Sequence, residues 1–183
     1  MTSLQFHEDM PASSFPAPPD RLKRANGSFI TLEGKPAILL FTTPFCAHCA
    51  WERRAFFEAT ARFGTWENAQ THTVFYNLTN GSTGNTTYTD LASARFSSPH
   101  ISVRAMEADS APYQYQPLFI EYSPMSEVPL ILFAGAYYRL GSGETGTLPD
   151  ARLADEADRL TSAICSLLLP PRPPACPPAP WRG

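Results

Sequence analysis

Five consecutive apolar residues, Ala37 to Phe41, lead through Thr42-Thr43-Pro44-Phe45 into Cys46–Phe63, a stretch that no glycine or proline interrupts. An apolar run without a polar position predicts a strand buried on both faces of a mixed sheet. The stretch after it predicts a helix, with Cys49, Phe56, Ala59, Thr60 and Phe63 near one face and Gly64 as its stop. A buried strand feeding a helix through a short turn confines the chain to the α/β class. Two cysteines, Cys46 and Cys49, stand at that junction.

The remaining elements follow from pattern. GSFITLEGKPAILLFTT places two strand-like segments around a turn at Gly34-Lys35. His72–Thr79 alternates as a strand, NGSTGNTTYTD reads as a polar loop, Leu91–Phe96 as a short helical piece, and Ile101–Glu107 as another strand. Val128-Pro129 opens the apolar strand LILFAG, Gly135 turns it into a hairpin partner AYYRLG, and Pro149-Asp150 starts the last helix. Leu153, Ala157, Leu160, Ile164 and Leu167 share one face of that helix, while Trp51, Tyr137 and Tyr138 read as packing residues.

Of 19 prolines, eleven fall in residues 11–19 and 170–180. They predict a mobile N-terminal segment, residues 1–20, and a disordered tail, residues 170–183, around a folded body of residues 21–169. With 43% apolar and 17% charged residues, the body has enough material for a core. A formal charge of −3 provides no basic field for nucleic acid. No apolar run reaches the roughly 18 residues a membrane-spanning helix needs. The first twenty residues lack a basic start and an apolar stretch, so a cytoplasmic location is expected unless a leader has been removed. Without a leader, the Asn-x-Ser/Thr triplets at Asn26, Asn77, Asn80 and Asn85 read as polar loop sequence.

The chemistry concentrates at Cys46-Ala47-His48-Cys49. Unpaired N–H groups and the helix dipole at a helix start stabilise a thiolate at Cys46, while Cys49, one turn deeper, is within disulfide reach. Cys46 is therefore the expected nucleophile and Cys49 the resolving thiol. His48 places a positive charge or an N–H donor beside the Cys46 thiolate, which makes the disulfide form more oxidising. A CxxC is also half of a zinc site, but the other half would have to come from His7, His72, His100, Cys165 or Cys176, and no second tight pair exists. Cys165 borders an apolar helix face and reads as an inert buried thiol. A bridge from Cys165 to Cys176 would close a loop of ten intervening residues, and a reducing cytosol disfavours it.

Two motifs in residues 27–168 resemble the thioredoxin superfamily: FTTPFCAHC, a strand running through an aromatic residue into CxxC, and Val128-Pro129 opening a later strand. The resemblance implies a thioredoxin-like fold, a central mixed sheet flanked by helices, and a cis bond before Pro129 that presents the Val128 backbone to an extended substrate. Within the superfamily, the His inside CxxC and the Val before the proline are most similar to DsbA-type oxidases, with Ala47 in place of their usual proline. Leu40 occupies the position of the thioredoxins' buried carboxylate, which argues against efficient general reductase activity. The 80 residues from Cys49 to Pro129 exceed by about 40 what that fold needs, implying an insertion at roughly residues 77–117.

The expected function is thiol–disulfide exchange with protein substrates, as a monomer with an unidentified recycling partner and no cofactor beyond the Cys46–Cys49 pair. A copper- or zinc-binding module using Cys46, His48 and Cys49, or a redox-inactive interaction protein, are the alternatives.

Overall fold

The computed structural model describes residues 3–44, 46–77, 83–142 and 150–176. Phe45 and Asn80 lie outside them.

The apolar run becomes β4 (Lys35–Thr42), the centre of the main sheet. It is joined to β3 (Ser28–Leu32) through Glu33 and Gly34, whose φ values of 56° and 73° make the tight turn the twist of a hairpin favours. On one side β4 pairs antiparallel with β10 (Leu130–Phe133). It also pairs parallel with β9 (Ser102–Glu107), Ala37 opposite Ser102 and Thr42 opposite Glu107. β11 (Tyr137–Leu140) continues the sheet from β10, and β2 (Lys23–Arg24) closes that edge. β1 (Leu4–Pro11) pairs with β3 at the other.

Alternation along the strands sends side chains to two cores. Ile38, Leu40, Val103, Ile131 and Phe133 face a cluster with α1 (Ala47–Ala61) and α3 (Leu153–Leu167). Leu39, Phe41, Met106, Leu130 and Leu132 face the opposite cluster with Leu118, Phe119 and Tyr122 of α2 (Gln116–Tyr122). The molecule is thus a mixed α/β layer structure with helices on both faces of the sheet. Among the described residues, no helix is long and apolar enough to cross a membrane.

Several expectations are corrected. The strand near residues 72–79 exists, but as β6 (Gln70–Asn77), paired with β7 (Thr83–Asp90) in a separate two-stranded sheet. The parallel neighbour of β4 is β9, and the material between α1 and β9 overlaps the expected insertion at residues 77–117 while starting before it. It comprises that hairpin and the pair β5 (Thr65–Glu67) with β8 (Arg95–Ser97). Residues 91–96 are not helical: the Asp90 carboxylate accepts the Ala92 N–H and the Ser93 hydroxyl, making a turn into β8.

The N-terminal segment is not a free tail. Besides β1, the Arg24 guanidinium donates to the carbonyls of Ala12 (2.5 Å), Phe15 (3.2 Å) and Pro16 (2.9 Å). Tyr137 Oη donates to Pro16 O at 3.0 Å, and Phe15 stacks on Phe29 with ring centroids 5.0 Å apart. At the other end, Cys176 is disulfide-bonded to Cys165, so neither is a free thiol and residues 170–176 are tied to α3. Proline content marked both segments as extended, but an extended chain without its own helix or hairpin still docks when distant donors satisfy its carbonyls.

The turn from β10 to β11 supports a prediction. Gly135 has φ +70°, and a Cβ there would stand 2.2 Å from the Ser28 carbonyl oxygen. Gly135→Ala is expected to destabilise by about 1–3 kcal/mol through strain and displacement of β3. Urea denaturation of the two proteins checks this, and equal midpoints would contradict it.

Candidate redox site

Cys46 is the N-cap of α1, with extended backbone (φ −108°, ψ 116°), and its Sγ accepts the Cys49 N–H at 3.1 Å. One of the orphan donors of the helix start is therefore spent on sulfur rather than on the usual Ser, Thr or Asp oxygen. Cys46 is half-buried, Cys49 is fully buried, and both are free thiols. The two sulfurs are electrostatically opposite. The Cys49 thiol, and then the backbone N–H groups of Cys49 and His48 and the charge of Arg53, outweigh burial and lower the Cys46 pKa from 9.0 to about 6. Donating to Cys46 and being buried push Cys49 well above its ordinary value, against an opposing contribution from Thr43.

Arg53, two helical turns beyond Cys46, is nearly buried. It donates to Thr42 Oγ1 at the end of β4, bridges to Glu107 Oε1 at the end of β9 at 2.5 Å, and lies 4.8 Å from the Tyr88 ring centroid. Tyr88 belongs to the β6–β7 hairpin, which packs along α1. The additional hairpin thus covers the helix face that would otherwise be wet, and a cation close to the dithiol is held away from bulk water.

His48 Nδ1 shares a 2.8 Å hydrogen bond with Ser142 Oγ, and the His48 backbone N–H is among the groups that lower Cys46. Ala47, partly buried, begins the helix between them.

Val128 and Pro129 reach the same end of the sheet. Leu130 pairs with Phe41, which sets Pro129 beside the strand end from which α1 departs. The Val128–Pro129 bond is cis, and Pro129 O accepts the Gly141 N–H at 2.8 Å. Gly141 and Ser142 therefore connect the proline loop to His48. A cleft of about 460 Å³ lined by Lys23, Glu127, Val128, Leu140 and Gly141 opens beside that loop.

Three residues at the site escaped the sequence reading: Arg53, Arg139 and Ser142. Glu52-Arg53-Arg54 looks like a solvated helix face, yet Glu52 and Arg53 are buried. Their i, i+3 and i, i+4 spacing from Cys49 is the one cue that sets them on the cysteine face. Leu40, at the position discussed above, is fully buried; the fully buried carboxylates among the described residues are Glu52 and Glu156. Among the described residues, no three His, Cys, Asp or Glu side chains gather as a metal site.

The asymmetry of the thiols has a direct consequence. Alkylation proceeds through the thiolate, so the rate at Cys46 is expected to rise with pH around a midpoint of about 6 and to be level by neutral pH. Cys49 should stay unmodified throughout. Iodoacetamide labelling with peptide mapping measures both, and a Cys46 midpoint near 9.0 would contradict the lowered value.

No protein-family model, curated protein or solved structure matches this chain.

Proposed function

We propose that this protein is a thiol–disulfide oxidoreductase of thioredoxin-like architecture that exchanges disulfides with protein substrates through Cys46 and Cys49. The observation that carries the reading is the paired asymmetry of the two sulfurs. One is half-exposed, helix-capping and acidic; the other is buried, donates to the first and holds its proton. That is the division of labour a dithiol needs. The element order supports the architecture: β4, the dithiol helix α1, parallel β9, α2, then a cis-proline opening antiparallel β10, the β11 hairpin and α3.

In the reducing direction, the Cys46 thiolate attacks a substrate disulfide. A bond forms between Cys46 Sγ and one substrate sulfur, the substrate S–S bond breaks, and the second substrate sulfur leaves as a thiolate that takes up a proton. Cys49 then loses its proton, attacks Cys46 Sγ and releases the first substrate sulfur as a thiolate. The sum is one protein disulfide formed and one substrate disulfide reduced, two electrons passing; the oxidising direction is the reverse. A partner dithiol or disulfide must recycle the pair, and no further cofactor enters.

The low Cys46 pKa makes it a good leaving group and favours the oxidising direction. The cleft beside Val128 suits an extended substrate segment, its backbone pairing with Val128 between Lys23 and Glu127. The buried Cys165–Cys176 disulfide supports work in an oxidising compartment rather than in the cytoplasm.

Equilibration in glutathione buffers, followed by acid quench and peptide mapping, tests the reading. Cys46 and Cys49 are expected to interconvert between dithiol and disulfide with a potential nearer about −120 mV than about −270 mV. A pair that never forms a reversible disulfide would sink it.

A further inference from the structure

Arg139, on β11, is 1% exposed, and its guanidinium gathers groups from three directions. It forms a buried ion pair with Glu156 of α3 and approaches Glu52 of α1 at 3.9 Å. It also donates to the Gly141 carbonyl at 3.3 Å and to the Ser142 carbonyl. Glu156 is shared with Arg159 at 3.1 Å. This is far more than is needed to end a strand, and what it immobilises is the dipeptide Gly141-Ser142. Each member of that dipeptide touches the redox site: the Gly141 N–H holds Pro129 O, and the Ser142 hydroxyl holds His48 Nδ1.

We propose that Ser142 is a positioning residue of the redox site, its hydroxyl holding the His48 ring at the start of α1 while Arg139 fixes its backbone against the two helices. The inference rests on the redox reading of Cys46 and Cys49. A hydroxyl suits this place because it both donates and accepts. It donates to Nδ1 of a neutral imidazole and accepts from Nδ1–H of an imidazolium, so the ring keeps one anchor in either protonation state. A fixed ring fixes the His48 backbone in the first helical turn, and that turn supplies the N–H groups directed at Cys46. Ser142 is 2% exposed, so water is a poor substitute for the bond.

The test is a double-substitution cycle read by the ultraviolet absorbance of the Cys46 thiolate against pH. Ser142→Ala keeps the carbonyl that Arg139 holds and leaves the other charges near the pair in place: Arg53 on α1, Glu107 on β9 and Glu52 on α1. It is expected to shift the thiol–thiolate equilibrium about fivefold toward the thiol, the scale of one net hydrogen bond. In a His48→Ala background the same substitution is expected to leave the Cys46 titration unchanged, because the imidazole through which Ser142 acts on the site is gone. Ser142→Thr, which keeps the hydroxyl, should retain the low pKa. The ¹⁵N shift of His48 Nδ1 is an independent readout and should move in Ser142→Ala. An unshifted titration, a shift toward thiolate, or a full effect in the His48→Ala background each overturns the proposal. The redox reading fails separately, when the unaltered pair forms no reversible disulfide, and the titrations stand whichever way that falls.

Discussion

Replacing Cys49 by serine is expected to turn the protein into a trap, accumulating mixed disulfides through Cys46 that the unaltered protein does not retain. The reason is positional. Cys46 is half-buried at the helix N-cap and is thiolate at neutral pH, so it still attacks. Release requires a second sulfur, and Cys49, fully buried and within hydrogen-bond reach of Cys46 through its N–H, is the sulfur in place to supply it. Steady-state turnover should drop to background, on the order of the 10²–10⁴-fold loss expected when a reacting group is removed. Cys46→Ser should lose turnover equally but trap nothing, because the remaining thiol is buried and holds its proton. Non-reducing gels and mass spectrometry of captured adducts distinguish the two variants. Equal trapping by both would mean that the two sulfurs have interchangeable roles, contrary to their geometry.

Arg139→Met is expected to be strongly destabilising. Glu52 and Glu156 are both fully buried, and Arg139 is the cation of that cluster that is itself buried. Removing one partner of a buried ion pair and leaving the other behind costs about 3–5 kcal/mol. Arg159 reaches Glu156 from the surface and softens the loss only on that side. Urea denaturation should show a lower midpoint with an unchanged slope. Adding Glu52→Gln and Glu156→Gln to Arg139→Met should recover part of it, since the stranded charges are then gone. A loss below about 1 kcal/mol, the scale of an exposed pair, would mean that water reaches this cluster.

The local pattern carried the strand and the helix on either side of the two cysteines. An apolar run followed by a short turn into a cysteine that opens a helix is legible because burial, helix start and thiol position are all encoded within about fifteen residues. The same holds for the β3–β4 turn, the β10–β11 hairpin and the apolar face of α3, each a short-range periodicity. α2 was harder to see: it is only seven residues long, and Pro117 at its first turn, a legitimate helix start, is easily taken for loop punctuation.

Strand partnership was not legible in the same way. His72–Thr79 and Ile101–Glu107 both read as strands, and nothing within either segment says which one lies beside β4; the register with β9 is a choice among distant segments. That choice set the two small antiparallel pairs between α1 and β9 and laid the β6–β7 hairpin over α1. Burial of Glu52 and Arg53 was invisible for a related reason. A charge in a helix is solvated by default, and only partners from β9, β11 and the hairpin make it tolerable inside. His48 likewise found Ser142, 94 positions away, and Cys165 found Cys176 from a tail whose prolines implied freedom.

What the sequence by itself determined is therefore the dithiol and the two elements that carry it, because strand, turn and helix cap follow from neighbours along the chain. What only the tertiary structure decided is the setting of that dithiol: which strand runs parallel to β4, which cation sits near Cys46, and which hydroxyl holds His48. Those depend on contacts between residues far apart in sequence. Such contacts form only where the packed fold has already excluded water and made an unmatched polar group costly.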